Sequence, residues 1–182
     1  VRIIVGYGPG SGYDVHARLL ERHLGKHIPG SPDVITQNMD GAGSMRAANF
    51  LYNAAAKDGT VIGMISRSVA PVPIIGGSGS DGAKFDSSKF VWLGSLNNEV
   101  SVAAAWHTTG IKTIEDAMRR ELLVGATAFG VDDSTVFPAV TNALFGTKFK
   151  WVLGYRGGTD LNLAMERGET FGRVGWSWSS IK

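Results

Sequence analysis

A glycine-rich loop near the start of the chain has the composition of an anion-binding segment. It runs from Gly6 to Asp14 as Gly-Tyr-Gly-Pro-Gly-Ser-Gly-Tyr-Asp, between an apolar run and a helical pattern. Glycines let backbone N–H groups approach a ligand closely, and the start of a helix attracts negative charge. A loop that only turns the chain has the same composition, so this segment alone leaves both roles open.

Two nucleotide-binding motifs can be tested against this loop. A G-x-G-x-x-G frame that starts at Gly6 meets Ser11 in place of its third glycine, and a frame from Gly8 meets Tyr13. The P-loop needs a Gly-Lys-Ser/Thr sequence, and no lysine lies nearby. The loop therefore matches neither motif.

Similar segments recur further along the chain. Residues 40–44, 125–130 and 154–160 are also rich in glycine, and each follows a strand pattern and precedes a helix. This is the edge at which open α/β sheets bind ligands. We therefore expect the four loops, two from each half of the chain, to face one cleft.

Motifs for catalysis and for metal binding are lacking in the sequence. It contains no G-x-S-x-G elbow and no H-E-x-x-H motif. His16 and His23 lie on one helical face but about 10.5 Å apart along the axis, too far to share an ion. His23 and His27 could bind zinc with further ligands, or could form a solvated helix face. We predict no catalytic residue, no metal and no cofactor.

Composition excludes several classes of protein. The 18 basic and 16 acidic residues give a net charge of only +2, and no Lys/Arg-rich run indicates nucleic-acid binding. The sequence contains no apolar stretch of 18 residues, which is about the length needed to cross a bilayer. The absence of cysteine excludes disulfides and thiolate sites. The chain starts at Val1 within a strand pattern, as expected after removal of a signal peptide.

Strand and helix patterns alternate along the chain, which predicts α/β architecture with mostly parallel sheets. The predicted strands are Arg2–Gly6, Asp33–Gln37, Thr60–Ser66, Phe90–Gly94, Val100–Trp106, Leu122–Ala126, Phe149–Gly154 and Thr170–Trp176. The predicted helices are Tyr13–Lys26, Ser44–Ala56, Thr113–Arg120, Ser134–Phe145 and Thr159–Arg167.

Details of these elements can also be predicted. In the first helix Ala17, Leu20 and Leu24 form an apolar stripe, which Val15 and Leu19 widen. The segment 71–82 has the composition of an exposed loop. We expect core packing for at least one of Trp176 and Trp178. A change of domain near 97–99 divides the chain into a first lobe, 1–98, and a second lobe, 99–182.

With these loops in place, the sequence resembles the substrate-binding receptors of tripartite tricarboxylate transporters, the Bug-type receptors. The matching segments are 5–14, 37–43, 57–59, 125–130 and 154–160, and their order and spacing run through the whole chain. The resemblance implies a Venus-flytrap, periplasmic-binding-protein-like fold, in which two α/β lobes close over a small carboxylated solute. It also implies that the chain is truncated at its C-terminus, because relatives continue past Lys182 to complete the first lobe.

The resemblance assigns the ligand-binding residues to the glycine-rich loops and their neighbours. Those of the first lobe are Tyr7, Gly10, Ser11, Gly12, Tyr13, Asp14 and Gly41, with Arg67 and Ser68 as weaker candidates. Those of the second lobe are Ala128, Gly130, Ser134, Gly158, Thr159 and Asp160. We assign Asp14 and Asp160 to organising helix N-termini rather than to proton transfer. Because Arg156 is the only cation in these loops, we expect backbone N–H groups to meet most of the ligand's charge.

Two features depart from the family pattern. Tyr13 stands where the family usually has Thr, so the size of the pocket differs. Asp132 and Asp133 bring negative charge to a loop expected to face a carboxylate. We expect them to cap the following helix with their side chains turned outward.

The sequence thus predicts a periplasmic receptor that captures a small mono- or dicarboxylate and delivers it to the permease subunits of a transporter. A small α/β enzyme acting on an acidic or phosphorylated metabolite is the alternative, with Asp14 or Asp132 as its acid–base group. A degenerate receptor without a ligand is a third possibility. An incomplete first lobe would expose apolar sheet surface, which predicts a dimer or larger homo-oligomer.

Overall fold

The computed structural model describes residues 1–75 and 80–181. Its strands are β1 (Arg2–Val5), β2 (Ile35–Asn38), β3 (Val61–Met64), β4 (Ser101–Ala105), β5 (Leu122–Gly125), β6 (Phe149–Val152) and β7 (Gly172–Ser177). Its helices are α1 (Gly12–Leu24), α2 (Met45–Asn53), α3 (Val72–Ile75), α4 (Ile114–Arg119), α5 (Asp133–Phe145) and α6 (Gly158–Glu166).

The first half of the chain forms a three-stranded parallel sheet in the order β2-β1-β3. The central strand β1 is apolar on both faces because Ile3, Ile4 and Val5 are all fully buried. Helix α1 covers this sheet with Ala17, Leu20 and Leu24, which confirms the predicted stripe. Val15 and Leu19 were expected to be buried as well, but both are more than half exposed because the helix packs on a narrower face.

The second half forms a four-stranded sheet in the order β4-β7-β5-β6. Strand β7 is antiparallel to β4, whereas β7, β5 and β6 run parallel. Leu122, Val124, Phe149 and Val174 form its core. Before β5, Thr113 and Asp116 form the predicted capping box of α4. The α/β architecture with parallel-rich sheets is as the sequence predicts.

The predicted strand Phe90–Gly94 is not formed. In the described residues no other strand pairs with it, and Val91, Trp92 and Leu93 are 87%, 54% and 76% exposed. A strand needs a partner for its backbone N–H and C=O groups, and the apolar pattern alone does not supply one. Val91, Trp92 and Leu93 therefore stay outside any sheet, whereas Phe90 packs against the cluster of Met45 and Val69.

The predicted loop 71–82 begins with the single helical turn α3, and Val72 is buried in a cluster with Met45 and Val69. This part of the loop prediction is wrong, because the side chain of Val72 packs into that cluster and so fixes the turn against the core. Residues 76–79 of the same loop lie outside the described residues.

The two halves are in direct contact near α2. Val131, which precedes α5, is buried in the cluster of Met45 and Val69. The backbone of Gly43 lies so close that a Cβ there would stand 2.7 Å from the Val131 side chain. Among the described residues, no helix has the length and apolar character needed to cross a bilayer.

Candidate functional site

A cavity of about 160 Å³ lies between the two halves of the molecule. The N-termini of α1, α5 and α6 reach its wall, and strand β7 forms another part of the wall. The predicted site residues that line it are Tyr7, Gly10, Ser11, Gly12, Tyr13, Ser134, Gly158 and Thr159. Loops from both halves are thus brought together around one space.

The first glycine-rich loop is held by hydrogen bonds within itself and by one to the loop that contains Arg156. The N–H of Gly8 donates to the carbonyl of Arg156 at 3.2 Å, and the N–H of Ser11 donates to the carbonyl of Gly8. Ser11 caps α1 by accepting from the N–H of Asp14. Among the described residues, the N–H groups of Gly12 and Tyr13 have no partner, as expected of a first helical turn. These two donors are what the loop can offer to a ligand.

Asp14 organises this loop from behind the cavity. Its carboxylate accepts from the N–H of Gly10 at 2.8 Å and from the amide of Asn38 at 2.8 Å, and it forms an ion pair with Arg18 at 2.9 Å. Burial alone would raise the pKa of Asp14, but these hydrogen bonds outweigh it and hold the pKa below its usual range. Its geometry is that of a structural anchor.

Asp132 caps α5 as expected, but its side chain is not turned outward. It is 3% exposed and lies in the cavity wall. One oxygen accepts from the N–H and the hydroxyl of Ser134 at 3.1 and 2.5 Å; the other accepts from the hydroxyls of Thr127 and, at 3.5 Å, Tyr7. These four donors turn the carboxylate inward, and burial then raises its pKa.

Asp133 joins the two halves across the mouth of the cavity. It accepts from the guanidinium of Arg67, with Nε at 2.5 Å, and from the hydroxyl of Ser68. Arg67 also donates to the hydroxyl of Ser101 at 2.6 Å. The charge of Asp133 is therefore matched by a partner from the other half.

Arg173 of β7 brings a partly buried guanidinium to the cavity. Its Nη1 donates to Asn162 at 2.7 Å and to the carbonyl of Gly158 at 3.3 Å, and the guanidinium lies 4.3 Å from the ring centre of Trp176. Burial lowers the pKa of Arg173 to about 10, although the charge of Asp132 opposes this. In the described part of the chain no carboxylate lies within 4.0 Å of Arg173. A partly buried cation that has no ion-pair partner is stabilised when an anion binds beside it.

Several predicted site residues do not line this cavity; they are Asp14, Gly41, Arg67, Ser68, Ala128, Gly130 and Asp160. Gly41 lies at an exposed turn beside Arg46. Ala128 and Gly130 face the hydroxyl of Thr135, which bridges their backbone groups. Asp160 pairs with Arg156 at 3.1 Å beside a smaller hollow of about 20 Å³.

The sequence analysis did not identify Arg173, Asn162, Thr127 or Trp176 as site residues. Arg173 carried a usable signal, because a charged side chain stood in the middle of the otherwise apolar strand pattern Thr170–Trp176. The others carried none, since their role depends on which strand and helix ends meet.

Trp176 and Trp178 do not pack in the core as predicted. Trp176 is partly buried and stacks on Arg173, whereas Trp178 begins a short 3₁₀ turn and is 48% exposed. His23 and His27 are both exposed. Over residues 1–75 and 80–181, no group of three or more His, Cys, Asp or Glu side chains is placed to hold a metal ion.

Two parallel-rich sheets that meet at a cavity lined by helix N-termini define the fold of a periplasmic binding protein. Solved structures agree with this class. MatC from Rhodopseudomonas palustris with bound malate has a TM-score of 0.77 and 21% identity, over 96% of this chain and 59% of its own. The R. palustris protein Rpa4515 with adipate has a TM-score of 0.71 and 14% identity, over 96% and 58%. A TctC solute-binding protein from Polaromonas, with no ligand, has a TM-score of 0.58 and 20% identity, over 100% and 60%.

These likenesses confirm the fold that the resemblance to tripartite tricarboxylate receptors implied. The chain spans 58–60% of the length of those three structures. No protein-family model matches the chain, and no curated protein matches it significantly.

Proposed function

We propose that this protein is a periplasmic solute receptor of the tripartite tricarboxylate transporter type, which binds a small organic acid between two lobes. The observation that carries this proposal is the Arg173 guanidinium, which lines the cavity without a carboxylate partner in the described residues. A bound carboxylate would supply the missing anion. The amides of Gly12 and Tyr13, at the N-terminus of α1, would add donors on the opposite side of the cleft.

Two structural features favour a receptor over an enzyme. The alternative, an enzyme, requires Asp14 or Asp132 as its acid–base group. Asp14 lies outside the cavity and is held by three protein groups. The other, Asp132, is held by four donors within the wall. Both carboxylates serve loop geometry, which suits binding without turnover.

The partners follow from this role. The lobes 1–98 and 99–182 would close over the acid, with a hinge near 97–101, and the closed form would be read by the permease subunits of the transporter. Solved structures of the same fold, one with bound malate and one with adipate, support a carboxylate as the ligand class. Export to the periplasm and association through the exposed run 91–96 belong to the same proposal.

Calorimetry with a panel of two- to six-carbon mono- and dicarboxylates tests the proposal. Binding of at least one acid at micromolar levels, with the acid recovered unchanged after long incubation, is the expected result. Conversion of a bound acid would favour the enzyme, and absence of binding across the panel would favour a receptor that has lost its ligand.

A further inference from the structure

The part of the cavity wall around Asp132 is rich in hydrogen-bond acceptors. The hydroxyls of Tyr7, Thr127 and Ser134 each donate to Asp132. A hydroxyl has one proton to give, so each of these groups can present only oxygen lone pairs to a ligand. Burial raises the pKa of Tyr7, which keeps its phenol protonated and in this donating role.

The cavity lining carries charges of both signs. Asp132, Asp133 and Arg173 are the charged residues of its described lining. Asp133 is neutralised by Arg67, and this leaves the negative Asp132 and the positive Arg173, which influence each other without forming an ion pair. A zwitterion adds no net charge to this lining, whereas a dicarboxylate brings two negative charges close to Asp132 and Asp133.

The size of the cavity limits the ligand further. Its volume is about 160 Å³, and an apolar cavity of about 150 Å³ in another protein holds one benzene molecule. The space therefore suits a molecule of about six to eight non-hydrogen atoms. Short-chain acids fit this limit.

We infer that the site selects a small zwitterion, an amino acid whose carboxylate meets Arg173 and whose ammonium group meets the wall built around Asp132, and that it discriminates against dicarboxylates. This inference rests on the proposed function, because it assigns the ligand class of the same site. A hydroxy acid satisfies the acceptors but leaves one uncompensated negative charge, so it ranks second.

The test uses acids of equal chain length that differ in the second polar group. At three carbons these are propionate, lactate, 3-hydroxypropionate, alanine, β-alanine and malonate; at four carbons they are butyrate, 4-hydroxybutyrate, 4-aminobutyrate and succinate. Calorimetry at pH 7 should give an amino acid that binds at least tenfold more tightly than the dicarboxylate of its length. A dicarboxylate that binds equally well or better overturns the inference but leaves the receptor intact. Failure of every acid, including the wider panel, removes the proposed function itself.

Asp132→Asn tests the origin of the preference. Asn keeps the helix cap but loses the charge, so the amino-acid preference over the dicarboxylate should fall at least tenfold. Asp86→Asn is the matched control, because Asp86 accepts from the N–H and hydroxyl of Ser88 at 3.0 and 2.6 Å and lies outside the cavity lining. An unchanged preference in Asp132→Asn contradicts the inference. If Asp132→Asn does not fold, the relative affinities of the natural protein for amino acids and dicarboxylates still test the inference.

Discussion

Arg67 and Asp133 form an ion pair that joins the segment after β3 to the first turn of α5, and so connects the two halves of the molecule. The pair lies at the mouth of the cavity and is only partly exposed, with 39% and 17% of the two side chains accessible. Ser68 adds a second hydrogen bond to the same carboxylate. A contact of this kind favours the state in which the halves touch.

Removing the pair should shift the protein toward an open form. Arg67→Gln is expected to lose about 1–2 kcal/mol of closing free energy, or roughly five- to thirtyfold in the ratio of closed to open molecules. Small-angle scattering should show a larger radius of gyration without ligand and compaction when a bound acid restores closure. Lys89→Gln is the control, because Lys89 pairs with the nearby Asp86 and this ion pair does not join the two halves. Equal radii for Arg67→Gln and the natural protein would contradict this role.

Asp132 should contribute more to the stability of the fold at acidic pH, where it is protonated, than at pH 7, where it is charged. Its pKa is raised in the folded state by burial, so the folded protein binds this proton more readily than the unfolded chain. This contribution is fully present below the unfolded pKa and is lost as the pH rises through the folded pKa. Asp132→Asn should therefore equal or exceed the natural protein in free energy of unfolding at pH 7. The difference in free energy of unfolding between Asp132→Asn and the natural protein, measured by denaturant unfolding, should shrink toward pH 4. A difference that grows in favour of the variant at low pH would contradict a raised pKa for Asp132.

Local patterns were sufficient to predict most of the fold. The buried run Ile3–Val5, the stripe of Ala17, Leu20 and Leu24, and the Thr113 capping box all act over a few residues, so the sequence displays them directly. The run 90–94 has the same apolar character, but a strand also requires a neighbour, and that depends on distant parts of the chain.

The site could be predicted only in part, for the same physical reason. The glycine loop before α1 and Ser134 at the start of α5 reach the cavity as expected, since strand ends and helix starts share one edge. The inward rotation of Asp132 depends on Tyr7, which lies 125 residues away in sequence. Arg173 belongs to the site because β7 lies beside β5, and this strand order is not encoded in any local motif.

The exposed apolar run at 91–96 should drive association. Val91 and Leu93 are 87% and 76% exposed, and a contiguous apolar surface in water favours a partner. The double variant Val91→Thr with Leu93→Gln is expected to reduce dimers or larger assemblies, measured by light scattering across protein concentrations. Leu144→Gln serves as the control, since Leu144 is similarly exposed, at 71%, but on α5. A natural protein that stays monomeric at every concentration would contradict this expectation.

Arg173 should contribute more to ligand affinity than any other cation near the cleft. Its guanidinium is partly buried and has no carboxylate partner among the described residues, so a bound carboxylate forms charge-assisted hydrogen bonds with it that are worth about 1.5–3 kcal/mol. Arg173→Gln is expected to weaken binding at least tenfold by calorimetry. Arg173→Lys should recover part of the affinity, because the charge is kept but the planar fork is lost.

Arg156 provides the matched control for this last prediction. It is exposed, and its charge is already taken by Asp160 at 3.1 Å, outside the lining of the larger cavity. Arg156→Gln should therefore change the dissociation constant by less than threefold, as is usual for a solvent-exposed pair. Circular dichroism and thermal melting establish that each variant is folded before its affinity is compared. If Arg156→Gln weakens binding more than Arg173→Gln does, the acid is held at the smaller hollow beside Asp160, and Arg173 is not its anchor.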